Sequence, residues 1–155
     1  MWVMSKQQIL RTHKNYQTWL DSLKELTPEQ AMSPYTPGKW SPNEIIMHLA
    51  EWDRFTSEER LLEMKEGGKL ESFPAFEEFN AKAAARAAEQ TFEETIAYAK
   101  SERQRITQKL QEVDESEWDK EFQIGHHTLS ITSYFTDFWE HDEHHKRQIE
   151  RVRSR

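Results

Sequence analysis

Trp40-Ser41-Pro42-Asn43-Glu44-Ile45 is a complete helix-start signal. A serine side chain at the cap accepts a hydrogen bond from the backbone three residues on, and a glutamate at that third position answers it. Proline suits the first helical turn, where its missing N–H would have no partner anyway. Trp40 and Ile45 take the two positions of a hydrophobic staple. Downstream, Ile45, Ile46, Leu49, Trp52, Phe55 and Leu62 recur at helical spacing, so one helix is expected from Pro42 until Gly67-Gly68.

Three further helices read outward from this one. Ser5 with Gln8 three residues on opens the first, whose apolar positions are Ile9, Tyr16, Leu20 and Leu23 up to Leu26. Thr27-Pro28 closes it, and Pro34, Pro37 and Gly38 predict irregular chain up to Trp40. Thr91-Phe92-Glu93-Glu94 is another capping box and starts a helix through Ile96, Ala99, Ile106 and Leu110 to Val113. The last helix begins near Thr128 or Ser130 and carries Ile131, Tyr134, Phe135, Phe138, Ile149 and Val152.

Between the second and third helices, Gly67, Gly68 and Pro74 demand a loop, and the alanine-rich stretch Phe76 to Ala88 reads as a short helix. So long a connection suggests a crossover along a bundle rather than a hairpin. Residues Glu115 to His127 read as a polar loop holding Trp118 and Phe122 and broken at Gly125. Sustained period-two alternation and hairpin dipeptides are both missing, so no strands are expected. Four amphipathic helices of roughly 20 residues each span about 30 Å, and the economical arrangement is an all-α four-helix bundle. It uses the whole chain as a single domain, residues 1–155.

Composition narrows the function classes. Lys and Arg number 21 against 28 Asp and Glu, a net charge of −7 that disfavours nucleic acid as a partner, although the tail with Lys146, Arg147, Arg151, Arg153 and Arg155 is basic. Those cations suit the C-terminal end of the last helix. An aromatic content of 12% argues against disorder. No apolar run approaches the roughly 18 residues of a membrane span. The start Met1-Trp2-Val3-Met4-Ser5-Lys6 shows no signal peptide, so a cytoplasmic protein is expected. With no cysteine, thiolate nucleophiles, Cys-ligated zinc and iron–sulfur clusters are excluded.

Seven histidines remain the unusual item. Counting forward from Phe138 in threes and fours reaches His141, Asp142 and His145 before Ile149, so histidines interrupt the core stripe of the last helix. His141 and His145 lie one turn apart on one face and can grip one metal ion, or join a hydrogen-bond network. A metal needs a third protein ligand, and His48, three beyond Ile45 and four before Trp52, is the natural candidate. His141-Asp142-Glu143-His144-His145 is not a zincin motif, because aspartate replaces the glutamate and only ten residues follow His145. A di-iron carboxylate centre lacks its two E-x-x-H elements. His144 points away to the rim or solvent, His126 and His127 read as loop residues, and His13 as a packed or surface histidine. Glu51 and Asp53 read as solvated helix charges unless they touch a ligand histidine.

Gly38-Lys39-Trp40-Ser41-Pro42-Asn43-Glu44-Ile45-Ile46-Met47-His48-Leu49-Ala50-Glu51-Trp52-Asp53 resembles the second-helix signature of the DinB/YfiT-like family. His141-Asp142-Glu143-His144-His145-Lys146-Arg147-Gln148-Ile149 is similar to its last-helix signature, and Phe79-Asn80 ahead of alanines to its crossover segment. The resemblance implies a four-helix bundle with one long crossover and a divalent ion, often nickel or zinc, on three histidines. By motif position these are His48, His141 and His145. It also implies hydrolase or thiol S-transferase chemistry with a low-molecular-weight thiol, and often a homodimer.

The leading expectation is therefore a cytoplasmic metal-dependent enzyme acting on a small molecule. Three histidines leave an open position for water or a substrate thiol, and any sulfur nucleophile comes from outside the chain. Metal affinity is expected to fall below about pH 6 as imidazoles protonate. No general acid or base stands out, Asp142 being the nearest candidate. The rivals are a non-catalytic small-molecule-binding or stress-response protein and a structural bundle with a polar histidine patch.

Overall fold

A computed structural model describes residues 2–73 and 75–155, so the loop expected at Pro74 and the Met1 start fall outside the described residues. Helix α1 is Lys6–Ser22, extended by a 3-10 turn, Leu23–Glu25. A five-residue helix α2, Pro28–Met32, occupies part of the segment expected to be irregular. It has its own capping box, Thr27 with Gln30, and Pro28 at its first turn. Helix α3 is Pro42–Phe55, α4 is Phe76–Ala88, α5 is Phe92–Glu112 and α6 is Ile131–Arg153. Capping boxes form at Ser5, Ser41 and Thr91 as the sequence predicts, and at Ser130 with Ser133.

Helix α3 does not run to Gly67. A π turn, Thr56–Arg60, follows Phe55, and a 3-10 turn, Leu61–Glu63, completes the segment. The π turn adds a residue to the helical circuit and rotates the following face. It buries Thr56, Ser57 and Arg60, which a regular helix would place differently.

Helices α1, α3, α5 and α6 form the bundle. Both α3 and α1 pack on α5 and on α6. One apolar cluster gathers Leu20, Leu23, Ile45, Ile46, Leu49 and Ile149. A second gathers Ile9, Ile106, Trp118, Phe122, Ile131 and Phe135. Helix α4 lies on the outside of α3, where Ala83 and Ala87 pack on Met47 and Asn43 Nδ2 donates to the Ala87 carbonyl at 2.9 Å. Small side chains let the two helices approach closely.

Strands correct the sequence reading. Lys69–Leu70 (β1) pairs in parallel with Phe122–Ile124 (β2), which pairs antiparallel with His127–Leu129 (β3). At two or three residues each, they are too short to show alternation. Ile124 faces His127, so Gly125-His126 is a two-residue turn with Gly125 at φ +59. Glycine at the first central position is the demand of a type II′ turn. The small sheet places Phe122 and Ile124 in the second apolar cluster and carries Leu129 toward the histidines.

Candidate metal centre

The capped start of α3 fixes the rotation of His48, and α6 presents His141 and His145 one turn apart on the face packed toward α3. One ring nitrogen from each of the three lies within 4.8 Å of the other two. The ring centroids stand 5.4 Å apart for His48 and His141, 5.1 Å for His48 and His145, and 4.7 Å for His141 and His145. His48 and His145 are buried while His141 is exposed, so the cluster opens on one side.

Desolvation and neighbouring positive groups favour the neutral form of these imidazoles. Desolvation, then the neighbouring His145 and His141, lowers His48 to about 3. Desolvation lowers His145 to about 4 against the opposing hydrogen bond to Gln148. His141 is lowered by desolvation, then by His144 and Arg103. Neutral imidazole is the form that offers a lone pair.

Gln148 orients one of the three. His145 Nδ1 meets Gln148 Oε1 at 2.7 Å, and Gln148 Nε2 donates to the Tyr35 hydroxyl at 3.1 Å. With the amide so placed, Nδ1 carries the proton and Nε2 holds the free lone pair. Trp40, the staple residue, stands 5.0 Å from the His48 ring and 6.5 Å from that of His145. His48 Nδ1 and Asn80 Oδ1 are both buried and have no hydrogen-bond partner among the described residues.

Next to the histidines lies a buried ion cluster. Arg103 on α5 donates to Asp53 on α3 at 2.8 and 3.1 Å and to Asp142 on α6 at 2.8 and 3.0 Å. Its guanidinium lies over the Tyr16 ring at 3.8 Å, and over that of Phe138 at 5.0 Å. One cation thus faces two carboxylates, and burial pushes both carboxyls above their ordinary range against the pull of Arg103. Asp53 is therefore no solvated charge. Asp142, saturated by Arg103, is not placed to act as a general acid or base. Glu51 is also buried, accepting from Arg54 at 2.9 Å and from Arg86 of α4 at 2.8 Å.

Of the other histidines, His144 adjoins the cluster, its ring 5.1 Å from that of His145, and the remaining three lie apart. His13 is buried and its Nδ1 meets Thr107 Oγ1 at 3.0 Å. His126 sits in the hairpin turn and His127 in β3. His144 is exposed at the rim.

A cavity of about 490 Å³ opens from the cluster. Trp40, Trp52, Phe73, Phe76, Tyr134 and Phe138 wall it, with Leu129, Asn80 and Asp137. Trp52 and Tyr134, which helical spacing places on apolar faces, are buried. Phe73 (42%) and Phe76 (55%) are exposed and form the outer part of the wall. Trp52, one turn beyond His48, was the available signal, since that spacing puts both on one face.

No helix among the described residues is long and apolar enough to cross a membrane. No match is found among curated proteins. The fold is similar to that of YfiT from Bacillus subtilis, described as a probable metal-dependent hydrolase with an unusual four-helix bundle topology. The two share 15% identity at a TM-score of 0.77, over 95% of this chain and 85% of the other. A family model of the DinB superfamily matches residues 11–149, and the chain belongs to that superfamily.

Proposed function

We propose that the protein is a metal-dependent hydrolase of a small molecule, with His48, His141 and His145 holding one zinc or nickel ion. The observation that carries this reading is the convergence of three imidazoles, with ring nitrogens within 4.8 Å of one another, in the lining of an aromatic cavity. The donor set fits a borderline divalent ion, and the unpartnered His48 Nδ1 and the Gln148-oriented His145 are what a ligand triad needs. When bound, a divalent ion there would supply Lewis-acid polarisation and a water acid enough to ionise near neutral pH.

The chain's own residues do the rest. Gln148 holds the His145 tautomer, and Asp53–Arg103–Asp142 ties α3 to α6 next to the ligands. Trp40, Trp52 and Phe138 exclude water from the reacting side. Similarity of fold to YfiT supports the same class of reaction. Transfer to a low-molecular-weight thiol is the variant in which the substrate brings the sulfur, since the chain has no cysteine.

The test is turnover of chromogenic esters and amides by metal-loaded and metal-stripped protein, beside the same panel with a thiol added. Hydrolysis that follows metal content and disappears in His145→Ala supports the hydrolase. Turnover only with thiol present replaces it by the transferase. Tight probe binding without turnover on any panel overturns both in favour of a binding protein.

A further inference from the structure

The cavity keeps its polar and apolar ends in a fixed order along two helices. His48 faces His141 with ring centroids 5.4 Å apart, and Thr56 Oγ1 meets the Tyr134 hydroxyl at 3.1 Å. Thr56 follows His48 by eight residues and Tyr134 precedes His141 by seven, so α3 with its π turn runs antiparallel to α6 there. The lining between those two rungs spans two helical turns, roughly 11 Å. The histidines occupy one end. Tyr134 closes the other, and with its hydroxyl committed to Thr56 it offers the cavity a ring.

Rings line the length between. Trp52, one turn beyond His48, meets Phe73 at 6.1 Å and Phe76 at 5.7 Å, and Phe73 stacks on Phe76 at 6.1 Å. From α6, Phe138 stacks with Tyr134 at 6.2 Å. Phe79 supports Trp52 at 4.5 Å, and the guanidinium of buried Arg60 lies 4.3 Å over Phe73. Neither Phe79 nor Arg60 is among the described residues that line the cavity, so both brace the rings from outside it. Rings held in this way spare a ligand the cost of ordering them. At about 490 Å³ the cavity suits a small molecule and has too little room for a partner helix, which is about 10 Å across.

We propose that the substrate of this cavity has a planar aromatic body of one or two fused rings, seated against Trp52, Phe76 and Phe138, and carries at one end the group that meets the histidine-held ion. The inference rests on the reading of this cavity as the substrate site and names the class of compound it takes. A flat aromatic body gains stacking on fixed ring faces beyond the area it buries, and a saturated body of the same carbon skeleton gains none. Sugars are disfavoured. Apart from the histidines, Asn80 and Asp137 are the strongly polar side chains in the described lining, too few to replace the water a sugar gives up.

The test uses 2-naphthalenemethanol, its saturated decahydro counterpart and benzyl alcohol, whose hydroxyls compete weakly for a metal. Titration calorimetry measures their affinities on metal-free and zinc-loaded protein. The naphthyl alcohol should bind about fivefold more tightly than the saturated one, although the latter is more apolar, and about tenfold more tightly than benzyl alcohol. Phe76→Leu exchanges an exposed ring for a branched chain. It should cut the preference for the naphthyl body about threefold and leave the saturated alcohol unchanged. On zinc-loaded protein, 2-naphthohydroxamate should bind about tenfold more tightly than acetohydroxamate, which places the body and the metal-facing end in one cavity. A saturated alcohol that binds as tightly as the naphthyl one overturns the inference. So does an unchanged preference in Phe76→Leu, equal affinity of the two hydroxamates, or the failure of all three alcohols to bind. Protein that prefers the naphthyl body but takes up no zinc keeps the choice of ligand and sinks the metal-dependent reaction. Zinc uptake without that preference does the reverse.

Discussion

Arg103 holds Asp142 through two parallel hydrogen bonds, from Nη1 at 2.8 Å and Nη2 at 3.0 Å, immediately beside His141 in sequence and three residues before His145. The same guanidinium grips Asp53, five residues beyond His48. One side chain on α5 therefore sets the spacing of the two helices that carry the three histidines. Such planar two-point contacts give geometry as well as energy.

Replacing that arginine should show how much depends on it. Arg103→Met leaves two buried carboxylates without a cation, and the expected loss is about 3–5 kcal/mol of folding stability. Urea unfolding at neutral pH measures it. A loss within error of zero would mean the cluster relaxes into water and does not brace the site.

The Gln148 contact makes a separate prediction. Gln148→Leu removes the acceptor on His145 Nδ1 without touching the three proposed ligands. Zinc affinity should fall about 10–100-fold, with unfolding temperature in the metal-free state little changed. Competition with a chelating dye reads the affinity.

Acid should destabilise the metal-free protein through its buried imidazoles. His48 and His145 titrate at about 3 and about 4 when folded, against an ordinary value of 6.5. Between 6.5 and those values the unfolded chain binds more protons, so stability falls as pH falls through that window. Burial of Asp53 works oppositely, since its carboxyl is raised when folded and its contribution is lost as pH rises. Asp142 is raised in the same way, whereas His13 and His141 are lowered beside His48 and His145, so the four histidines contribute a fall in unfolding temperature from pH 6.5 to pH 4 that the two acids oppose. His48→Gln should flatten that slope, and a slope unchanged in the variant would remove His48 as a cause.

Helix starts, the histidine triad and the bundle were readable because their signals are local. Ser41-Pro42-Asn43-Glu44 caps itself, and His141 and His145 need only helical spacing. The buried cluster was unreadable because Arg103 sits in Lys100-Ser101-Glu102-Arg103-Gln104-Arg105, which reads as a solvated face. Its burial depends on Asp53 and Asp142, 50 and 39 residues away. The three strands gain their pairing across long separations, Lys69 with Gln123, and carry no periodicity of their own. Phe73 and Phe76 lie outside any helical stripe that α3 or α6 could reveal, so the cavity wall emerges only once the connection folds back on Trp52.

The hairpin turn provides a check on that sheet. Gly125 has φ +59, and a Cβ there would come within 2.5 Å of Ser72 Oγ. Gly125→Ala should cost about 1–2 kcal/mol from the left-handed backbone alone. Zinc uptake should survive, because none of the three histidines stands on the sheet. A thermal shift and a metal titration on the same sample decide it.

Zinc titration of untagged, chelator-stripped protein by calorimetry, with elemental analysis of the dialysed product, tests the metal centre most directly. About one equivalent should bind to the wild type, and His48→Ala, His141→Ala and His145→Ala should each abolish or greatly weaken it. Less than about a tenth of an equivalent of zinc or nickel in the wild type, or full uptake by all three variants, would contradict the three-histidine centre.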